Sequence, residues 1–262
     1  MKEEIEAFVR NYVTSHKANG GSRSIWRQPL VAFADAHDPM FRQLKEIVDP
    51  NHLTPCDLLE DAKTVISYFV PFTKKTVQSN TGGKRASTLW AKSYIETNEL
   101  IINLNVALSE KLEKNGYKAA TTLPTHNFDE KKLVSLWSQK HVAYIAGLGK
   151  FGIHHMIITE KGCCGRLGSV ITDARIKPTQ RVKNELCLYK KDGACGVCVR
   201  KCALNALTFD GLNKRTCYYE CLRNAETYHS LGLADVCGKC VTEIPCSFSI
   251  PRGISRVCSE RP

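Results

Sequence analysis

Nine of the thirteen cysteines in this chain fall between Cys187 and Cys246, and that clustering restricts the fold more than any other feature. Thiols so dense either bridge one another or hold metal. The N-terminus, MKEEIEAFVR, carries acids and no apolar signal-peptide core, so the expected address is the cytoplasm, where thiols stay reduced and hold metal. Cys56, Cys163, Cys164 and Cys258 are scattered. The expectation is one metal-binding segment joined to an otherwise ordinary fold.

The spacing of the clustered cysteines narrows the metal. Two-cluster ferredoxins use C-x2-C-x2-C-x3-C-P, in which three cysteines hold one cluster and the fourth crosses to the other. Here Cys195, Cys198 and Cys202 match the last three cysteines, and Asp192 stands in the first position. Cys187 offers a thiolate for that place across a short loop, with ligation by Asp192 as the variant. The second half supplies Cys217, Cys237, Cys240 and Cys246. Crossing the halves groups Cys187, Cys195, Cys198 and Cys246 around one 4Fe–4S cluster and Cys202, Cys217, Cys237 and Cys240 around a second. Cys221 is then a spare or a swap for an assigned ligand. The rival is a tetrahedral zinc held by the two C-x2-C hooks, 195/198 and 237/240; it leaves Cys187, Cys202, Cys217 and Cys246 without a task. Ala203 and Ser247 stand where ferredoxins place proline, and Pro245 precedes Cys246 instead.

Upstream, strand and helix patterns mix, so the fold class expected is α/β. Ile5, Phe8, Val9 and Tyr12 recur at helical spacing. TVISYFVP (64–71) reads as a buried strand. The basic, glycine-containing stretch TKKTVQSNTGGKR that follows reads as a mobile surface loop able to contact phosphate. Leu100, Ile101, Leu104, Leu108 and Leu112 predict a long helix over 89–115, stopped by Gly116. Asn127 and Glu130 form a capping-box pattern that predicts a helix from 128 to about 140. HMIIT and GSVIT read as strands. The division expected is an α/β domain over 1–180 and a cysteine domain over 181–262. No apolar run approaches the ~18 residues of a membrane helix. Lys and Arg exceed Asp and Glu by 11; cluster binding by eight thiolates would reduce that excess without reversing it. The basic balance motivates one rival class, a zinc-stabilised RNA-binding module.

Gly147-Leu148-Gly149-Lys150-Phe151-Gly152 satisfies G-x-G-x-x-G. A dinucleotide site needs a helix after the last glycine, whose N-terminus holds the pyrophosphate. IHHMIIT follows instead and reads as a strand. The better account is a tight turn that lets backbone approach a ligand.

The stretch from Ala146 to Asp173, AGLGKFGIHHMIITEKGCCGRLGSVITD, followed by the ferredoxin-like cysteines, resembles the epoxyqueuosine reductases and, more distantly, the iron–sulfur and cobalamin-containing reductive dehalogenases. The similarity extends upstream through TVISYFVPF. The resemblance implies a nitroreductase-like α/β sandwich that binds cobalamin, followed by a ferredoxin-like module whose two 4Fe–4S clusters pass electrons to cobalt. By that resemblance Gly147, Leu148, Gly149, Gly152, His154, Gly168, Ser169 and Asp173 line the corrinoid site. It also implies a flavodoxin- or ferredoxin-type electron donor and a small-molecule or modified-nucleoside substrate, with tRNA as one form of the latter. Two features depart from the family. Leu133 stands where epoxyqueuosine reductases typically carry an aspartate in a D-S-x-P-like stretch. The chain also ends soon after the clusters, without the helical-repeat extension that many of those enzymes use to hold tRNA, so the expectation is a divergent branch with another substrate.

Such a reductase needs a proton donor besides its electrons. The candidates are Asp129, His126 and His154, with Tyr144 and His155 behind them. His154 and His155 are adjacent on a predicted strand, so only one of them can face a pocket. Two functions therefore compete: a cobalamin-dependent reductase, and an electron-transfer or corrinoid-reducing protein that serves a partner enzyme without a small-molecule substrate of its own.

Overall fold

The computed structural model describes residues 1–16 and 25–254; Cys258 lies outside them. In chain order the elements are α1 (Lys2–Ser15), β1 (Leu30–Asp35), α2 (Pro39–Ile47), α3 (Pro55–Leu58), β2 (Thr64–Pro71), α4 (Lys74–Ser79), α5 (Thr88–Lys114), β3 (Ala119–Thr121), β4 (Phe128–Asp129), β5 (Val134–Ser135), α6 (Gln139–Ile145), β6 (Gly149–Phe151), β7 (Ile157–Thr159), β8 (Gly165–Thr172), α7 (Leu188–Asp192), α8 (Val197–Arg200) and α9 (Lys214–Thr227). The architecture is mixed α/β with small antiparallel sheets. The chain divides into two compact units. One comprises Met1–Val70, Thr97–Leu148 and Gly165–Arg181; the other comprises Pro71–Glu96, Gly149–Cys164 and the described residues from Val182. The second unit therefore includes two segments that a division at 180/181 assigns to the first domain.

The first unit is built on a four-stranded sheet in the order β1-β2-β8-β3. β1 pairs antiparallel with β2, placing Phe33 opposite Ile66, and β3 pairs antiparallel with β8, placing Ala120 opposite Ile171. β2 is the predicted TVISYFVP strand and is buried at all eight positions. Its run of β-branched and aromatic residues suits a strand covered on both faces. The core also takes Ile5, Val9 and Val13 from α1 and Leu100, Ile101, Leu104, Leu108 and Leu112 from α5. Gly116 ends α5 at φ 83°, and the Tyr117 amide donates to the Leu112 carbonyl at 3.1 Å, a left-handed cap that glycine adopts without strain. Two large buried polar side chains of this core are paired: the Tyr68 hydroxyl donates to Asn105 Oδ1 at 2.7 Å and Trp137 Nε1 donates to Ser169 Oγ at 3.0 Å.

The helix predicted from 128 is not formed. β4 and β5 make a short antiparallel hairpin there, and helix begins only at Gln139. The Asp129 carboxylate accepts the amides of Lys131 and Lys132 at 2.8 and 2.9 Å, and Leu133 takes a positive φ of 54°. A side chain that closes its own turn competes with helix propagation, and here the turn prevails.

The second unit is made of shorter pieces. β6 and β7 form an antiparallel hairpin with Gly149 opposite Thr159 and Phe151 opposite Ile157. No helix follows Gly152, so the glycine loop opens a hairpin and not a dinucleotide site. The stretch expected as a mobile loop is instead α4 and an ordered turn in which Asn80 is fully buried. Asn80 donates to the Cys237 carbonyl at 2.9 Å and accepts the Ser87 amide at 2.9 Å. Lys239 donates to the carbonyls of Asn80 and Gly82 at 3.0 and 2.7 Å. The polar composition of this stretch thus serves a buried hydrogen-bond network. Among the described residues no helix is long and apolar enough to cross a membrane.

Candidate metal centre

The clustered cysteines lie together in the second unit. Cys187 is the residue before α7, and Cys198 sits in α8 just after Gly196, where any Cβ would meet the Phe209 ring at 2.7 Å. Cys187, Cys198 and Cys246 are buried and Cys195 is half-buried. Burial pushes the Cys198 thiol up to about 12, and its thiol neighbours Cys246, Cys187 and Cys195 add to the shift. Cys202, Cys217, Cys237 and Cys240 are half-buried. Burial raises the Cys240 thiol well above its ordinary value, reinforced by Cys237, Cys217, Cys202 and then Cys198. Cys237 is raised to about 11, by burial first and by Cys217 among its neighbours. Cys198 thus has Cys187, Cys195 and Cys246 among its neighbours, and Cys240 has Cys237, Cys217, Cys202 and Cys198.

A set of four mutually repelling thiols is costly to keep as bare thiolates, and iron or zinc is the chemistry that favours them. A second observation points the same way. Trp90 is 4% exposed, and its indole Nε1 has no hydrogen-bond partner among the described residues. That nitrogen lies 2.6 Å from where a Cβ on Gly238 would stand, inside the Cys237–Cys240 loop. A buried N–H left unpaired costs about 1–3 kcal/mol, and a cluster sulfur beside that loop would accept it. The residues fit a sulfur-rich metal group. The remaining thiols and the spare acid are also placed. Cys221 is hydrogen-bonded to Cys217, which with burial raises its thiol, and Cys237 and Asp235 are further neighbours. Asp192 is exposed and accepts the Ala194 amide at 3.0 Å.

His154 and Cys163 adjoin the first group, a juxtaposition the spacing does not reveal. Nε2 of His154 is 3.4 Å from Cys246 Sγ, and the donor atoms of His154, Cys163 and Cys246 all lie within 4.8 Å of one another, each residue buried. Hydrogen bonding from Cys163, and secondarily from His154, lowers the Cys246 thiol, whereas hydrogen bonding to Cys164 first, then to Cys246, together with burial raises Cys163. Backbone bonds fix the arrangement: the Cys163 amide donates to the Cys246 carbonyl at 2.9 Å, and the Cys164 amide to the Ser247 carbonyl at 3.3 Å. His154 and His155 occupy a turn and not a strand; the first is buried and the second is exposed, so one ring alone points inward, as alternation also required.

The glycines expected to face a corrinoid are packed against the chain itself. Within the second unit, a Cβ on Gly149 would meet the Ile158 carbonyl oxygen at 2.0 Å, and one on Gly152 would meet the His154 ring at 2.8 Å. Within the first, Gly147 (φ 89°) abuts the backbone of Gln180 and Arg181, and Gly168 abuts the Tyr68 ring. Leu148 and Ser169 are buried, and Asp173 accepts the Lys118 amide at 2.9 Å. These observed contacts are all internal to the protein. Asp129 and His126 are exposed in the first unit, His126 with φ 58°.

No protein-family profile and no curated relative matches the chain. Solved structures do, and they define its class: over most of its length the chain has the fold shared by epoxyqueuosine reductases and reductive dehalogenases. An epoxyqueuosine reductase from Streptococcus thermophilus is 21% identical, matching 100% of this chain and 69% of its own, with a TM-score of 0.59. Another, solved with an epoxyqueuosine-modified tRNA-Tyr stem loop, is 19% identical over 94% of this chain and 65% of its own, with a TM-score of 0.56. A catabolic reductive dehalogenase in complex with 3-bromo-4-hydroxybenzoic acid is 14% identical over 85% of this chain and 30% of its own, with a TM-score of 0.57. The chain spans about two thirds of the length of the reductases it matches.

Proposed function

We propose that this chain is an iron–sulfur, corrinoid-dependent reductase related to the epoxyqueuosine reductases. What supports the reading is eight cysteines spaced for two four-thiol groups, with Cys198 and Cys240 each neighboured by several of the others, in a chain with the fold of those enzymes. Cys187, Cys195, Cys198 and Cys246 would hold one 4Fe–4S cluster; Cys202, Cys217, Cys237 and Cys240 would hold the other. The clusters would store and relay single electrons from a flavodoxin- or ferredoxin-type donor in a reducing cytoplasm. A bound cobalamin would supply the reducing metal at the substrate, which belongs to the small-molecule or modified-nucleoside class. The corrinoid part of this proposal rests on the fold likeness, because the glycine loop packs on its own chain.

A second reading is favoured by one observation. The Asp129 carboxylate closes its own turn, and Leu133 stands where the related enzymes carry an acid, which suits an electron-transfer or corrinoid-reducing protein that hands electrons to a partner. The test is anaerobic incubation of iron-reconstituted protein with cobalamin, followed by desalting, cobalt analysis and assay of a tRNA stem loop carrying an epoxide-bearing nucleoside. Retained cobalt with turnover supports the reductase. Cobalt reduction without turnover, together with transfer of electrons to a corrinoid partner protein, supports the second reading, and iron without retained cobalt contradicts the corrinoid in both.

A further inference from the structure

We infer that His154 is a positioning residue for the cluster bound through Cys246: its Nε2–H donates a hydrogen bond to the Cys246 sulfur and holds that cluster's reduction potential above the value it would have without the bond. The inference rests on the cluster-binding proposal above.

The direction of the bond follows from the other ring nitrogen. The Met156 amide donates to His154 Nδ1 at 3.1 Å. A nitrogen that accepts an N–H bond carries no proton, so in the neutral ring the proton is on Nε2. Nε2 faces Cys246 Sγ at 3.4 Å, within the range of an N–H···S bond, which is longer than one to oxygen. The same assignment argues against the three buried residues His154, Cys163 and Cys246 forming a separate mononuclear metal site. A histidine ligand must present a lone pair, and the one free for the site here already carries hydrogen.

The ring is held there by its surroundings. It is 4% exposed, and the turn that carries it folds back over Gly152, where any Cβ would stand 2.8 Å from both Cε1 and Nε2. The Gly152 amide donates to the Met156 carbonyl at 3.0 Å and the His155 amide to the Gly152 carbonyl at 3.1 Å, closing the turn on both sides of the ring. The last glycine of the G-x-G-x-x-G string thus makes room for an imidazole.

The consequence is electrostatic. Reducing a cluster adds a negative charge that spreads onto its cysteine sulfurs, and an N–H dipole fixed on one of them stabilises the reduced form more than the oxidised form. Burial strengthens the effect, since little water competes for that sulfur. Removing the donor is therefore expected to shift the oxidised-to-reduced ratio of this one cluster about tenfold toward oxidised at a given potential, which for a one-electron couple is about 59 mV.

The test uses the full chain, reconstituted anaerobically with iron and sulfide, as parent, His154→Phe and His154→Gln. Dye-mediated titrations followed by electron paramagnetic resonance read each cluster's midpoint. In the Phe variant one cluster is expected to fall in potential while the other stays, and the Gln variant, which keeps an N–H, recovers part of the shift. Unchanged midpoints in a fully loaded Phe variant overturn the inference and leave the cluster reading standing. A parent that takes up no iron overturns the cluster reading and the inference with it. A second measurement needs no substitution: double-resonance spectroscopy on reduced parent protein labelled with nitrogen-15 histidine. A weak histidine nitrogen coupling with an exchangeable proton is expected. No histidine coupling, or the strong coupling of a direct ligand, overturns the inference.

Discussion

In the first unit β2 is buried at every position, and Phe33, Phe41, Tyr68 and Trp137 are each all but inaccessible to water. From Val182 to Ile254 in the second unit no aromatic side chain is buried, and three of the buried residues are Cys187, Cys198 and Cys246. Of the three α-helices there, α9 alone reaches 14 residues, and the other two are short, α7 with five residues and α8 with four. Helices of that length do not hold themselves together in water. The contrast separates a unit stabilised by removing apolar surface from water from one whose cysteine segment, on the proposed reading, is held by a cross-link. A metal group bonded to four thiolates is such a cross-link, because its binding energy is also folding energy.

Stripping the metal should expose that contrast most visibly. Chelation of reconstituted protein is expected to cost the cysteine segment several kcal/mol, on the order of what structural metals supply to small domains. Hydrogen exchange would then accelerate by orders of magnitude across α7, α8 and α9, while β1, β2 and β8 keep their protection. Equal protection of both regions before and after chelation would contradict the contrast.

Single cysteines sharpen it next. Cys198→Ser and Cys240→Ser should each lower bound iron from about eight to about four per chain, since each breaks one four-thiol group. Cys221→Ser should leave about eight irons, and a fall to half would make Cys221 a ligand in place of Cys217.

A smaller effect is expected where backbone meets backbone. Gly149→Ala would drive a Cβ to 2.0 Å from the Ile158 carbonyl oxygen and spread the β6/β7 hairpin, at a cost of about 1–3 kcal/mol in denaturant unfolding. Gly82→Ala, with nothing within 4 Å and no positive φ, is the control and should change stability by less than about 0.5 kcal/mol.

The smallest effect belongs to the first unit and is independent of metal. His52 is fully buried; its Nδ1 donates to the Leu53 carbonyl and its Nε2 accepts the Ser138 amide, so the ring is held neutral. Burial lowers its pKa below the ordinary 6.5, against the smaller opposing effect of the Leu53 bond. The unfolded chain therefore binds a proton at a pH where the folded chain does not. The stability this contributes is complete above about pH 6.5 and declines as pH falls through the folded-state value. Thermal unfolding between pH 7.5 and 5.5 should show that decline in the parent, with a flatter profile in His52→Gln.

Periodicity made β2 and α5 legible, because a continuous apolar run and a three-to-four repeat each bury in only one way. The proposal of two cysteine groups comes from spacing, because C-x2-C loops present their thiols to one side whatever the residues between. The hairpin at 128–135 was not legible: the capping pattern at Asn127 and Glu130 is real, but Asp129 captures two amides that a helix needs. The Asn80 turn was misread for a related reason. Its polar side chains look solvated until Lys239 and Cys237, far along the chain, are brought against them. The contact between His154 and Cys246 spans 92 residues, and only the close fit of Gly152 to the ring hints at it.

The most direct test of the account is iron, sulfide and zinc analysis of anaerobically reconstituted, desalted protein, read together with its Mössbauer spectrum. The account predicts about eight irons per chain in two 4Fe–4S clusters and no stoichiometric zinc. A colourless protein that retains zinc at the cysteine segment and takes up no iron would contradict it.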